Sequence, residues 1–371
     1  MKTDDTYMSR RGHAVLSGLD DQFAQGAESG FFSRIDIHFA RFVRRLSPSV
    51  NLNVVLAAAL VSKYTREGHI CLDLAEHAGK KIIFSALHTS SLECPDLDTW
   101  VEDLRACRVV GMPGDYTPMV LDTGSRLYLW RYWDYERTCA DKLLFLSRQK
   151  KSFDTELFRK GLQIVFVEAD DDGTMEQKLS ALIALKSGLC VITGGPGTGK
   201  TTLVSKILSL LLHHENSLRV ALAAPTGKAA QRVGEAVSET IQLFDLPDAI
   251  KASISQKAST IHRLLGIVPS RSKPRFNEEN LLPYDAIVID EASMVDLALM
   301  TKLVQAIKPS ARLILLGDKN QLASVQAGHV LGDICDAGAV HGYSQELRDD
   351  VKEMMGFELE TGVGSGLQDS V

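Results

Sequence analysis

The stretch Leu189–Thr202, LCVITGGPGTGKTT, constrains this chain more than any other. Leu189, Val191 and Ile192 have strand character. A glycine-rich loop follows, and Leu203, Ile207, Leu208, Leu211 and Leu212 then recur on one side of a predicted helix. The loop fits G-x-x-x-x-G-K-[ST] at Gly194, Gly199, Lys200 and Thr201. Glycines at 194, 195, 197 and 199 permit positive φ, so successive backbone N–H groups can turn inward around phosphate oxygens. The helix that follows points its positive end at the same anion. Lys200 would then reach the outer phosphates, and the Thr201 hydroxyl would sit on Mg²⁺.

A chain of 371 residues, 45% of them hydrophobic, is long enough for two cores. No apolar run approaches the roughly 18 residues of a membrane span, and the N-terminus carries acids where a signal peptide needs an apolar core, so the cytoplasm is the expected location. The six cysteines are scattered with no C-x-x-C and read as reduced packing residues. A net charge of −6 excludes a generally basic nucleic-acid coat. From Lys257 to Arg275 there are five basic residues and no acid, which reads as a solvated loop or as a local nucleic-acid footprint.

In chain order, Ile35, Phe39, Phe42, Val43 and Leu46 predict a helix with arginines between them, and Val54–Lys63 a more apolar, buried one. Tyr128–Trp130 has strand character and Trp133–Gln149 reads as a helix. His38, His69, His77 and His88 have no matching ligand spacing and read as structural. Residues 1–165 are expected to form a smaller docking domain, closed by the acidic run Glu168–Gly173. Residues 166–345 are expected to form a lobe with a small hairpin near 268–284, and 346–371 a connection to a further lobe that the sequence does not contain.

Gln177 opens the helix before the phosphate loop, where its amide could read both edges of adenine. A second core strand, Arg219–Ala224, leads into Thr226 and Lys228, either phosphate-contacting or a plain helix cap. Thr260 and His262 lie in a capped helical turn. The buried strand at Asp285–Ile289 ends in Asp290 and Glu291. Beside a phosphate loop, these acids would hold Mg²⁺ and polarise the attacking water respectively. A fourth strand, Arg312–Leu316, ends near Gln321, which could contact the γ-phosphate.

Taken in order, GGPGTGKTT, APTGKAA, STIHRLLG, IDEASMVD and GDKNQLASV resemble the first five motifs of superfamily 1 helicases of the 5′-to-3′ branch. Gly68–Leu72, Arg126–Leu129 and Glu136–Thr138 resemble the leading domain of the RecD family, the alpha subunits of exodeoxyribonuclease V (RecBCD). The resemblance implies an α/β fold, a RecA-like parallel sheet behind a smaller, mainly helical N-terminal domain. It implies ATP and Mg²⁺ as cofactors, with Gln177 reading adenine and Gly194, Gly195, Pro196, Gly197, Thr198, Gly199, Lys200, Thr201 and Thr202 forming the phosphate loop. Thr201 and Asp290 would hold the metal, Glu291 activate water and Gln321 contact the γ-phosphate, with Thr226, Lys228, Thr260 and His262 in motifs that contact single-stranded DNA. The implied activity is ATP-driven translocation on one strand of a duplex end, in a heterotrimer with RecB-like and RecC-like subunits serving recombinational repair. A non-motor ATP-binding docking subunit and a stand-alone helicase are the alternatives. The arginine-bearing motifs of a second lobe are absent, so the sequence reads as C-terminally truncated.

Overall fold

The computed structural model describes residues 21–48, 50–84, 91–166, 172–195, 197–254, 258–271, 273–321, 327–337 and 343–359. Residues 1–20, His88, the acidic run through 171, Pro196, Lys257, the end of the GDKNQLASV motif (322–325) and 360–371 lie outside them. The chain divides into two compact units, Met1–Glu136 with Gln326–Gly328, and Arg137–Val325 with His329–Val371. The division falls within one long helix, Trp130–Ser147. No helix among the described residues is long and apolar enough to cross a membrane.

In the first unit, α1 (Arg34–Leu46) and α2 (Leu52–Arg66) pack against each other. The Asp36 carboxylate ties them together. It is fully buried, accepts from the Ser33 backbone N–H and from the Ser33 and Ser62 hydroxyls at 2.8 Å each, and pairs with Arg66 at 3.3 Å. A buried carboxylate is tolerable only when its lone pairs are matched in this way. α2 is buried from Val54 to Val61, as its apolar sequence predicts. Beside it lies a four-stranded sheet of β1 (Cys71–Asp73), β2 (Val110–Gly111), β3 (Met119–Leu121) and β4 (Arg126–Leu129), in the order β1-β4-β3-β2. The family-like segments at 68–72 and 126–129 are thereby paired, Leu72 opposite Leu127. The rings of His69 and His77 pack on Tyr64 at 5.3 and 4.9 Å, so both are packing residues.

The second unit is built on a parallel sheet of β5 (Leu189–Thr193), β6 (Val220–Ala224), β7 (Ser259–Thr260), β8 (Ala286–Ile289) and β9 (Arg312–Gly317), in the order β5-β9-β8-β6-β7. The four longer strands are those the sequence predicts. β7 is added as a two-residue edge strand, too short for a periodicity. Every residue of β6, β8 and β9 is buried, the unbroken apolar run expected of parallel strands covered on both faces. The sheet is flanked by α3 (Thr155–Val165), α4 (Asp172–Lys186), α5 (Lys200–His214) and α6 (Gly227–Gln242). Sequence spacing gave α5 one apolar side, yet it is buried from Leu203 to Leu212 all round. Its two serines fit because Ser205 and Ser209 donate back to the carbonyls of Thr201 and Ser205, at 3.0 and 2.7 Å. Described residues of 268–284 contain turns and one antiparallel bridge, Asn277 with Asn280. Burial pushes the Cys139 and Cys190 thiols up to about 12, consistent with inert packing residues.

Asp285 closes the sheet at the start of β8. It accepts from the Arg219 backbone N–H (3.0 Å) and Nε (3.2 Å) and from Lys308 Nζ (3.0 Å). Burial opposes its charge, but these donors hold its carboxyl below the usual range. The stabilisation is therefore complete above the unfolded carboxylate pKa and is lost as pH falls through the depressed folded value. We expect Asp285→Asn to weaken hydrogen-exchange protection of β6 and β8 by about 1 kcal/mol at neutral pH. The difference from the wild type should vanish as pH falls well below 4, roughly the free carboxylate value. A difference that persists in acid would show that the charge is not its source.

Candidate nucleotide-binding site

Parallel register aligns the strand ends. Gly317 lies opposite Thr193, Ile289 opposite Leu315 and Ala223, and Thr260 opposite Ala224. The polar segments that follow the strands consequently leave the sheet at one rim.

The phosphate-loop sequence leaves β5 there, and the Gly194 N–H donates to the Gly317 carbonyl at 3.2 Å, fastening loop to β9. Left-handed backbone, expected at four glycines, is found at two of them, Gly197 (φ 79°) and Gly199 (φ 80°). Gly194 is required for space instead, since a Cβ there would meet Thr198 Oγ1 at 2.7 Å. Gly199 caps α5, so Lys200, Thr201 and Thr202 form the helix's first turn. Lys200 Nζ donates to the carbonyls of Gly194 (2.5 Å) and Gly195 (2.8 Å), which folds the ammonium over the loop.

Asp290 follows β8 and is held by its N–H to the Ala223 carbonyl at 2.9 Å. Burial pushes its carboxyl up, against the Glu291 backbone N–H and the positive charges of Lys200 and Arg232. Those two cations are thus electrostatic neighbours of Asp290. Glu291 has a left-handed backbone, φ 52° and ψ 41°, a conformation that costs a non-glycine residue on the order of 1–3 kcal/mol. Gly317 makes room for the turn that follows, because a Cβ there would meet the Ser293 backbone N at 3.1 Å. After β9, Asp318 accepts from the Asn320 N–H at 2.9 Å and the Gln321 N–H donates to the Asp318 carbonyl at 3.1 Å. This turn keeps half-buried Gln321 at the same rim.

Gln177 lies on α4 against α5, with Nε2 3.9 Å from where a Cβ on Gly199 would stand. Thr226, Lys228, Thr260 and His262 gather at the β6–β7 end of the rim. Thr226 and Thr260 both cap helices, accepting from the N–H groups of Ala229 (3.2 Å) and Arg263 (3.1 Å). Lys228 and His262 are exposed. Sequence reasoning passed over Arg232, although it stands one turn beyond Lys228 on α6, and Lys206, whose place in an apolar helix is its only signal.

The rim combines backbone N–H groups at a helix start, an ammonium and two carboxylates, the parts that bind and cleave a polyphosphate. A hydroxyl and a carboxylate, as at Thr201 and Asp290, are hard oxygen donors of the kind that suits Mg²⁺. Residues 177–327 match the family model described as AAA domain, so the second unit carries a nucleotide-binding lobe of the P-loop class. Residues 28–128 match the model described as RecBCD enzyme subunit RecD, N-terminal domain. The chain thus carries a RecD-type N-terminal domain followed by an AAA domain, and its relatives include RecD subunits. The RecBCD enzyme subunit RecD of Mycolicibacterium smegmatis is 39% identical over 317 residues, covering 84% of this chain and 54% of that one. Its counterpart in Haemophilus influenzae is 32% identical over 361 residues, covering 90% and 56%. The ATP-dependent RecD2 DNA helicase of Deinococcus radiodurans is 39% identical over 181 residues, 48% of this chain and 22% of that one. The chain therefore spans little more than half the length of the RecD subunits it matches.

The loop geometry is open to a direct check. Gly199→Ala forces a side chain into left-handed backbone, a cost of about 1–2 kcal/mol, and should speed amide exchange at Lys200–Leu203. Gly195→Ala should not, because a Cβ there meets nothing within 4 Å. Equal effects at both positions would refute the assignment of strain to Gly199.

Proposed function

We propose that this chain is the ATP-binding lobe and docking domain of a 5′-to-3′ DNA helicase subunit in a RecBCD-type helicase-nuclease, acting on duplex DNA ends in the bacterial cytoplasm. The observation that carries the reading is the convergence of the phosphate loop, Lys200, Asp290 and Gln321 on one sheet rim, with the Gly194 N–H fastened to Gly317 at 3.2 Å.

The loop N–H groups and Lys200 bind the phosphates of ATP. Thr201 and Asp290 hold Mg²⁺, which when bound neutralises charge on the outer phosphates. Glu291 takes a proton from the attacking water, and Gln321 orients that water or the γ-phosphate. Gln177 reads the adenine base. Thr226, Lys228, Thr260 and His262 face the single strand. At the two caps the threonine hydroxyl accepts from the helix and keeps its own proton to donate to a phosphate oxygen.

We expect Lys200→Ala to weaken ATP binding by about tenfold or more, through loss of a charge-assisted hydrogen bond. Glu291→Gln should leave binding within a factor of about two but lower turnover by about 10²- to 10⁴-fold. Titration with a fluorescent ATP analogue beside a phosphate-release assay separates the two. Single-stranded DNA should raise turnover. A wild-type rate indifferent to DNA would favour a non-motor docking subunit instead.

The docking reading rests on α1. Its inner face buries Asp36, Ile37, Ala40 and Val43, while Ile35 (62% exposed), Phe42 (41%) and Leu46 (50%), with half-buried Phe39, form a second apolar stripe at positions i, i+4, i+7 and i+11. Exposed Arg34, His38, Arg41 and Arg45 flank the stripe. This pattern suits an apolar groove with an acidic rim on a RecB-like or RecC-like subunit. Phe42→Asp should weaken co-purification with those subunits at least about tenfold, as loss of an aromatic anchor does, and leave ATP binding unchanged. Undiminished assembly would remove α1 as the contact.

A further inference from the structure

Lys206 is a buried cation for which the phosphate chemistry has no use. It lies on α5 almost two turns beyond Lys200 and is 9% exposed. Its Nζ stands 4.2 Å from the centroid of the Phe166 ring and donates to Gln177 Oε1 at 3.1 Å. An ammonium over an aromatic face is attracted by the ring quadrupole, the more strongly when desolvated. Phe166 therefore steadies the cation, and the cation can steady the amide.

We propose that Lys206 is a positioning residue for purine selection, fixing which end of the Gln177 amide meets the nucleotide base. The proposal rests on the reading of Gln177 as the base-contacting residue. An ammonium has three donors and no acceptor, so the amide edge facing it must be the carbonyl. The amide is planar, and its NH₂ is thereby directed away from Lys206. Nε2 is indeed the atom on the phosphate-loop side, 3.9 Å from the Cβ position at Gly199.

This orientation distinguishes two purines. Adenine presents an N6 amino donor and an N7 acceptor on one edge, whereas guanine presents two acceptors, O6 and N7. An amide held in one orientation can donate to N7 of adenine while the second lone pair of Oε1 accepts from N6. Guanine can satisfy only the NH₂, whichever way the amide is turned. Releasing the amide by removing Lys206 therefore lowers affinity for adenine, which needs one orientation, and leaves guanine nearly unaffected.

The test uses the full chain and competition of ATP and GTP against a fluorescent nucleotide, with thermal melting of each variant in parallel. The wild type should prefer ATP, and Lys206→Met, which keeps the apolar stem, should reduce that preference by about tenfold through weaker ATP binding. Lys206→Arg, which keeps cation and donors, should retain most of it. Gln177→Ala should lose the preference to a similar extent, and the double variant should lose no more, since neighbours acting as a unit are not additive. If Lys206→Met melts too low to titrate, Lys206→Gln replaces it with the same expectation. An unchanged ATP-to-GTP ratio in the Lys206 variant, or parallel weakening of both nucleotides, overturns the proposal and leaves the nucleotide site standing. Wild-type binding that does not depend on Lys200 overturns the site and the proposal together.

Discussion

Parallel pairing ties the end of each strand to its neighbour's, and the chemistry at the rim depends on that alignment. β8 is hydrogen-bonded between β6 and β9, and β9 between β8 and β5. Ile289, Leu315 and Ala223 are fixed side by side by their backbones, before any side chain at the rim is chosen. β6 and β8 are apolar throughout and, like β9, buried along their whole length, so the first polar residues after them project where the sheet ends. A one-residue shift of β8 would move Asp290 along the rim by about 3.3 Å relative to the phosphate loop. Placement of the acid is thus inherited from the packing of Ile287, Val288 and Ile289, all of them buried.

The rim in turn concentrates unfavourable features that the sheet must hold in place. Within four residues, Asp290 keeps a carboxyl pushed up by burial, Glu291 adopts left-handed backbone, and Ser293 Oγ is buried with no hydrogen-bond partner. An unsatisfied buried hydroxyl and a strained residue each cost on the order of 1–3 kcal/mol. They persist because the turn is pinned from two sides, by the Asp290 N–H to Ala223 and by the close approach of Ser293 to Gly317. Such costs cluster at functional segments of proteins and persist only where the surrounding structure over-determines them, as the packed sheet does here.

Much of this arrangement is readable in the chain because its signals are local. Four strands and the phosphate-loop helix announce themselves by apolar runs and glycine spacing, and Asp290 and Glu291 by their place at the end of a buried run. What is not readable depends on partners distant in sequence. β7 has two residues and exists only because Ser259 and Thr260 pair with Ala223 and Ala224. The strands of the first unit are two to four residues long, too short for alternation to register, and only the one overlapping Tyr128–Leu129 showed strand character in the sequence. Thr226 and Thr260 spell a helix cap as readily as a phosphate contact, and the structure shows the cap while leaving the hydroxyl proton available. Gly194 illustrates the converse: glycine was expected there for its dihedral freedom and is needed for the space beside Thr198.

Lys200 shows how the loop limits the gain from binding. Its ammonium is already matched, donating to the Gly194 and Gly195 carbonyls, so it suffers no isolated desolvation beside the sheet. A polyphosphate must compete for those donors, and it does so with charged oxygens, whose hydrogen bonds are roughly twice as strong as those to neutral carbonyls. Only that difference contributes to affinity. The same two carbonyl contacts hold Lys200 over the loop, so less side-chain entropy remains to be lost when phosphate arrives. On the proposed reading, affinity and selectivity come from separate lysines on one helix, Lys200 acting on the phosphates and Lys206, almost two turns along, acting on the Gln177 amide.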